Sequence, residues 1–334
     1  VSSIQEVSMI TQEGNNVGVY PVLGNFDDVQ KIIKEIFDDT EFSQQLLQKY
    51  NVKLTAANSI NWGRLIAQLI YHIHSYVKLL EQNIVQLGDP IDIVVPSGNF
   101  GSILAAFLTK KMGLPIRKLI CASNSNNILT DFLRTGIFDI RERTLQSTPS
   151  PAMDILVPSN IERLLYFMTK NTEQVTTLMH ELQEKKYFAV DEKTKQILQE
   201  TFFADWVSDK ETLVTMKNIY DETKTVIDPH TAVAITVVKR YQQKITNHIP
   251  LVICSTAHWA KFPETVYEAL LGKNEEGNEF DMIEIIQQKT GASVPQTLME
   301  LKNKKIFHTK KISASKDELE QVIIDFLEKS RERL

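Results

Sequence analysis

The stretch VVPSGNFGSILAAFLTKKMG, Val94 to Gly113, decides how this chain folds. An apolar run ends at Val95, a turn of Pro-Ser-Gly-Asn-Phe-Gly follows, and a helical pattern opens at Ser102. A short apolar run bounded by turn residues fits a buried strand, and strand followed by helix is half of a βαβ unit. In open parallel sheets, ligands sit at the loop leaving the carboxyl end of a strand. Gly98 and Gly101 carry no Cβ, so backbone N–H groups there can converge on one point. The helix behind them adds the positive end of its dipole. The turn is therefore either a structural strand–helix connection or an anion cradle suited to phosphate. It is not a Walker loop, because no Gly-Lys-Ser/Thr follows and Lys110 and Lys111 come too late.

Outward from this stretch the pattern alternates. Strands are expected at Val17–Val22, Ile91–Val95, Lys118–Ala122 and Leu251–Cys254. Helices are expected at Asp27–Phe37, Asn61–Leu80, Ser102–Met112 and about Asn127–Arg134. On the long helix Leu65, Ile66, Leu69, Ile70, Ile73, Val77 and Leu80 recur at steps of three and four and predict its buried face. Strands separated by helices predict an α/β fold with a parallel sheet covered on both faces. Residues 137–152 read as a polar loop. Residues 160–240 read as mostly helical with a polar break at 201–209, and residues 272–280 as an exposed connector.

A length of 334 residues exceeds what one core usually serves, so two domains are expected. The net charge of −5 argues against nucleic-acid binding and makes the lysines between Lys302 and Lys316 a solvated face. No basic region followed by an apolar one opens the chain, so no signal peptide is read. His72, His74 and Lys78 interrupt the most apolar helix, which therefore fails as a membrane span. Cys121 and Cys254 each end an apolar run and read as buried thiols. So few cysteines predict a reducing, cytoplasmic setting, and no ligand spacing suggests a metal. The opening VSSIQEVSMITQ has neither Met nor a helix cap before its pattern, which reads as a chain entered in its middle.

Three further stretches can carry chemistry. In TAANSINWGRLIAQ, Asn58 and Ser59 either cap the coming helix or join Arg64 and the helix dipole in gripping an anion. Arg64 is expected about one and a half turns into that helix. In CSTAHWAKF, Ser255 and Thr256 end a strand with hydroxyls aimed at the rim, where one can bond a neutral ring nitrogen. His258 there is read as a cap or a base. In IDPHTAVA, Asp228 caps a helix that Pro229 starts, and His230 and Thr231 orient neighbours. His72 and His74, two apart on a helix, face different ways and read as structural. No Ser/His/Asp triad can be assembled.

The segments IQEVSMITQEG, LGNFDD, ANSINWGR, PSGNFG, KLICASNSNNILTDFLRTG, SPAMDIL, SNIERLL, IDPHTAV and STAHWAKFPE occur in that order from Val1 to the tail. Together they resemble threonine synthase, in the branch with NFDD and SMDI signatures. The resemblance implies a tryptophan synthase β-like fold (pyridoxal-phosphate fold type II), with open, mainly parallel sheets, helices on both faces and two domains. It implies residues 1–52 as the remainder of a smaller mobile domain. Residues 53–272 would form the larger cofactor domain, with a helical insertion at about 155–245, and residues 273–334 a tail packing on it.

The implied cofactor is pyridoxal 5'-phosphate, with Gly98, Asn99, Phe100 and Gly101 at its phosphate and Thr256 at its pyridine nitrogen. At Ser102, relatives often carry Asp or Asn. The implied substrate is O-phospho-L-homoserine, its phosphate held by Asn58, Ser59 and Arg64, converted with water to threonine and phosphate. The family's Schiff-base lysine lies in a Phe-Lys-Asp type motif well before the first matching segment. Neither Lys261 nor Lys316 fits that motif, so no catalytic residue is assigned, and the chain as given is expected to be amino-terminally incomplete and inactive alone. Two other expectations stay open: a related lyase acting on O-phosphothreonine or a similar phospho-amino acid, and a non-catalytic fragment serving as a binding module. A monomer or homodimer is expected, with no membrane or nucleic-acid partner.

Overall fold

All six residues of the segment Ile91–Pro96 are buried, as expected of a strand covered on both faces. A computed structural model describes residues 2–24, 26–58, 61–246, 249–273 and 277–331. In chain order the first elements are α1 (Ser3–Ile10), β1 (Val22–Leu23), α2 (Phe26–Asp38), α3 (Thr40–Tyr50) and α4 (Trp62–Glu81). Then come β2 (Ile91–Pro96), α5 (Gly101–Lys111), β3 (Ile116–Ser123), α6 (Ile128–Thr135), β4 (Ile137–Asp139), α7 (Ile161–Thr169) and α8 (Thr172–Lys185). They are followed by β5 (Tyr187–Ala189), α9 (Glu192–Thr201), β6 (Phe202–Trp206), α10 (Asp209–Thr223), α11 (Pro229–Gln242) and β7 (Leu251–Ile253). The last are α12 (Pro263–Leu271), α13 (Glu279–Thr290), α14 (Gln296–Met299), β8 (Ile312–Ser313) and α15 (Lys316–Arg331).

The chain divides into two compact units, Val1–Ala56 with Glu276–Leu334, and Ala57–Glu275. In the second, a parallel sheet runs in the order β6-β3-β2-β7. Successive side chains on β2 serve opposite faces, as the strand period requires. Ile93 and Val95 join a core with Leu65 of α4, Phe107 of α5 and Phe132 of α6. Val94 turns the other way, onto Val233 and Val237 of α11. From β2 the chain moves outward through β3 to β6, then returns to add β7 on the other side of β2. The carboxyl ends of β2 and β7 therefore flank the switch point of the sheet, where such folds hold ligands.

Several expectations change here. The polar break at 201–209 contains β6, an edge strand of the sheet, so the region about 155–245 is not simply a helical insertion. Its FFADW sequence has too little alternation to announce a strand. The expected strand at Val17–Val22 shrinks to Val22–Leu23, because only these two residues find a partner, on β8. That pairing joins the tail to the amino-terminal segment within one unit. Leu319 and Ile323 of α15 pack with Ile32, Ile36 and Leu46 in the same unit. Ser2 does cap α1, and Glu279 accepts from the Ser3 and Ile4 amides at 3.0 and 2.7 Å.

The long helix also turns differently from its apolar pattern. Leu65, His72 and Tyr76 are its buried residues, while Ile66 and Ile70 are 58% and 65% exposed. The inner face carries polar groups because it packs beside the start of α5.

Asp92, on β2, is 1% exposed. It accepts from Arg117 Nη2 at 2.6 Å, the Lys118 amide at 3.0 Å and the Tyr241 hydroxyl at 2.9 Å. Burial pushes the Tyr241 phenol up to about 12, with Asp92 reinforcing the shift, so it remains a donor. Asp92→Ala strands a half-buried guanidinium and a backbone amide. The expected loss is about 3–5 kcal/mol in urea unfolding, and a loss below about 1 kcal/mol would contradict the role of this ion pair in tying β2 to β3 and α11.

Candidate functional site at the tips of two strands

The turn after β2 is gripped from two sides. A Cβ built on Gly98 would lie 2.6 Å from the Ala152 carbonyl oxygen and 3.0 Å from Met153 Cα. The bare face of this glycine is thus filled by protein, and what Gly98 can offer a ligand is its amide. Asn99 Oδ1 accepts from the Ser159 amide and hydroxyl at 3.0 and 3.1 Å, and its carbonyl accepts from Asn160 Nδ2 at 2.9 Å. Phe100 adopts a left-handed conformation, φ 62° and ψ 9°, as the residue before α5. That costs about 1–2 kcal/mol. Burying the ring beside Phe202, centroids 5.8 Å apart, returns about 1.5–3 kcal/mol, so packing wins. No side chain caps α5, which begins at the buried Gly101. Its first-turn amides therefore open toward the strand tips with the helix dipole behind them.

The segment that presses on Gly98 is itself braced. Asn124, just past β3, donates to Thr148 Oγ1 and Asp154 Oδ1, each at 2.8 Å, and Asp154 Oδ2 accepts from the Thr148 amide at 2.9 Å. Burial raises the Asp154 carboxyl, against the pull of these bonds. On the far side the Ala152 amide donates to His230 Nε2 at 3.2 Å, so the ring proton lies on Nδ1 and is donated to Asp228 Oδ1 at 2.8 Å. Asp228 and His230 have the parts of a general-base dyad, yet the Nε2 lone pair is occupied by backbone. The pair orients its neighbours, a role the sequence suggested for His230 and Thr231, with Asp228 as the helix cap. Thr231 Oγ1 bonds Asp228 and lies 3.1 Å from Ser255 Oγ, which fastens the end of β7 to the same network. Thr256 follows and is exposed, three residues past the end of β7. His258 Nδ1 accepts from the Ala260 amide at 3.2 Å, so it caps a short helical turn and is not placed as a base.

The second group lies before α4. The cap of α4 is Asn61, whose Oδ1 accepts from the Gly63 amide at 2.7 Å. Asn58 stands three residues earlier, where its carbonyl accepts from the Asn61 amide, and is therefore not the cap. Ser59 lies outside the described residues. Arg64 falls within the first turn of α4, earlier than expected, and folds back to donate from Nη1 to the Ala57 carbonyl at 3.0 Å.

Two links join this group to the first. Trp62 lies under the Arg163 guanidinium at 5.2 Å, Arg163 donates to Asn160 at 2.8 Å, and Asn160 donates to Asn99. Two turns along α4 from Arg64, the Tyr71 hydroxyl donates to Ser102 Oγ at 2.7 Å, and His72 Nε2 lies 3.0 Å from the Ser102 carbonyl. Sequence reading missed Tyr71, Asn160 and Arg163, and treated His72 as merely structural. Tyr71 lies off the apolar stripe, so periodicity gave no signal for it. The cysteines flank this region without reactive character, since burial pushes both the Cys121 and Cys254 thiols up to about 12.

Two measurements test this geometry. Gly98→Ala must displace backbone at Ala152 and Met153, and is expected to cost about 1–3 kcal/mol in chemical unfolding; unchanged stability would mean that the contact is slack. His72 is 1% exposed, its Nδ1 has no partner among the described residues, and burial lowers its pKa from 6.5 to about 4. Between those values the unfolded chain takes up a proton that the folded one refuses. Stability is therefore lost as pH falls from 6.5 toward 4, by up to about 3 kcal/mol. His72→Leu is expected to flatten that part of the stability–pH curve relative to wild type, and an unchanged slope would refute the assignment.

Comparison with known proteins bears on the family and the fold. A family model described as threonine synthase, C-terminal, matches residues 231–323. Threonine synthase-like 1 of Pongo abelii is 44% identical over 271 residues, covering 81% of this chain and 36% of that protein. The crystal structure of pyridoxal-phosphate-bound threonine synthase from Brucella melitensis aligns with a TM-score of 0.79 at 30% identity, over 99% of this chain and 63% of that one. Threonine synthase from yeast gives a TM-score of 0.79 at 34% identity, over 98% and 63%. The chain thus spans less than two thirds of the length of each of these relatives. The ordered motifs, the switch-point turn and these alignments together identify the chain as threonine synthase-like, with pyridoxal-phosphate fold type II.

Proposed function

We propose that this protein is a pyridoxal-phosphate-dependent threonine synthase, converting O-phospho-L-homoserine and water to L-threonine and phosphate. The observation that carries the reading is the joining of two anion-suited groups by α4. One is the uncapped start of α5, and the other is Asn58 with Arg64 of the first turn of α4. A substrate phosphate and a cofactor phosphate need two such places within one cleft.

The residues fit the cofactor. A helix start without a side-chain cap, entered through Gly98, Asn99, Phe100 and Gly101, presents amides to a phosphate. On the next strand tip the Thr256 hydroxyl is exposed and suited to a neutral pyridine nitrogen. When bound, pyridoxal phosphate supplies an electron sink that eases removal of protons from substrate carbon. Asn58, Ser59 and Arg64 orient the phosphorylated end of the substrate. The Arg64 cation meets charge that builds on the leaving phosphate and steadies its departure. Asp228 and His230 keep the turn in place through Ala152 and move no proton to substrate.

A related lyase acting on O-phosphothreonine or a similar phospho-amino acid is the second reading. It is favoured by the higher identity to a relative named only for its likeness to threonine synthase. Chromatography of the product from each substrate separates the two, since one yields threonine and the other a 2-oxo acid. In the full-length protein, Arg64→Ala is expected to lower kcat/KM for the phosphorylated substrate by about a hundredfold, as for a charge-assisted contact of roughly 3 kcal/mol. Cofactor affinity should stay within about threefold of wild type, corresponding to less than about 1 kcal/mol. Equal loss of both, or of neither, would count against Arg64 as the substrate clamp.

A further inference from the structure

We propose that Ser102 is an additional donor to the cofactor phosphate and that Tyr71 is its positioning residue, an assignment that rests on reading the turn after β2 as a phosphate cradle. A serine hydroxyl has one proton and two lone pairs. The Tyr71 hydroxyl donates to Ser102 Oγ at 2.7 Å, so one lone pair is engaged and the Ser102 proton is left over. A serine within a helix commonly returns that proton to the carbonyl four residues back. For Ser102 that residue is Gly98, which precedes α5, and the hydroxyl donates to no acceptor among the described residues. Ser102 is the second residue of α5 and is only partly covered, so its proton is available beside the first-turn amides. A phosphate dianion offers acceptors alone, and a further donor at this place matches it.

Tyr71 is suited to hold this polarity. Burial raises its pKa, opposed by the Ser102 bond and by the Arg64 cation, so it persists as a neutral donor. Its ring lies against that of His72, centroids 4.4 Å apart and tilted by 56°, and His72 Nε2 lies 3.0 Å from the Ser102 carbonyl. Adjacent residues of α4 thus fix both the backbone and the hydroxyl of Ser102. The same helix carries Arg64, so the element that would bind the substrate phosphate also sets the geometry at the cofactor phosphate.

The test compares binding of pyridoxal 5'-phosphate and of pyridoxal, which lacks the phosphate, to the full-length apoprotein by fluorescence titration. Wild type, Ser102→Ala, Tyr71→Phe, the double variant and Ser102→Thr are measured, with thermal unfolding of each without ligand. Ser102→Ala is expected to weaken pyridoxal 5'-phosphate about tenfold and Tyr71→Phe about threefold. The double variant should be no worse than Ser102→Ala, Ser102→Thr should retain wild-type affinity, and pyridoxal should bind all five alike. Equal losses for pyridoxal, or losses that multiply in the double variant, would overturn the relay while leaving the cradle intact. If wild type does not prefer the phosphorylated ligand, the cradle itself fails and the assignment falls with it. Should Ser102→Ala unfold, the Tyr71→Phe and Ser102→Thr comparison decides alone: an unchanged Tyr71→Phe affinity rejects the proposal.

Discussion

The Ala152 carbonyl oxygen lies 2.6 Å from where a Cβ on Gly98 would stand. Only glycine permits that approach, and the position of the turn after β2 follows from it. Once Ala152 is seated there, its amide meets His230, His230 meets Asp228, and Thr231 reaches Ser255 at the end of β7. The two strand tips that flank the switch point are therefore registered against each other through side chains as well as through the sheet. On the opposite side, Asn99 is tied to Ser159 and Asn160. Held in this way, the start of α5 can present amides without reorganising when an anion arrives, which is where preorganised sites derive most of their effect.

Such a site is built from buried polar groups, and these carry a desolvation cost that only complete hydrogen bonding offsets. Asp228 and His230 are nearly fully buried and mutually bonded, and Asn124 with Asp154 closes a second set of bonds beneath Ala152. His72 is the exception, with one ring nitrogen bonded at Ser102 and the other without a partner among the described residues. That nitrogen lies on α4, the helix that carries Arg64 and reaches Ser102 through Tyr71. The apolar residues supply the frame on which this polar arrangement is hung, and they do so on both faces of β2.

The β2–α5–β3 unit was legible because its apolar run, glycine turn and helical spacing lie within about 30 residues of continuous sequence, and local signals suffice at that range. Asp228 as a cap before Pro229 was legible for the same reason. The strand Phe202–Trp206 was not, since its pairing with β3 is decided by a partner some 80 residues away, and propensity yields to such tertiary context. The inner face of α4 was misread because Ile66 and Ile70 continue the apolar period while the structure buries His72 and Tyr76. Gly98, Arg64 and Thr256 could be proposed for a site from residue type and place alone. Tyr71 and Asn160 could not, because what distinguishes them is a contact with a residue on another element.

The parallel order β6-β3-β2-β7 has a kinetic consequence. Ile91 finds Ile116 soon after both leave the ribosome, whereas Asp92 must wait for Leu251. Closing that longer loop carries about 1.6 kcal/mol more chain entropy than the short one, and distant pairings of this kind slow a fold. Thr256, three residues past the end of β7, thus depends for its placement on the longest-range pairing in the sheet, so the rim inherits the chain-entropy cost of everything between the two strands.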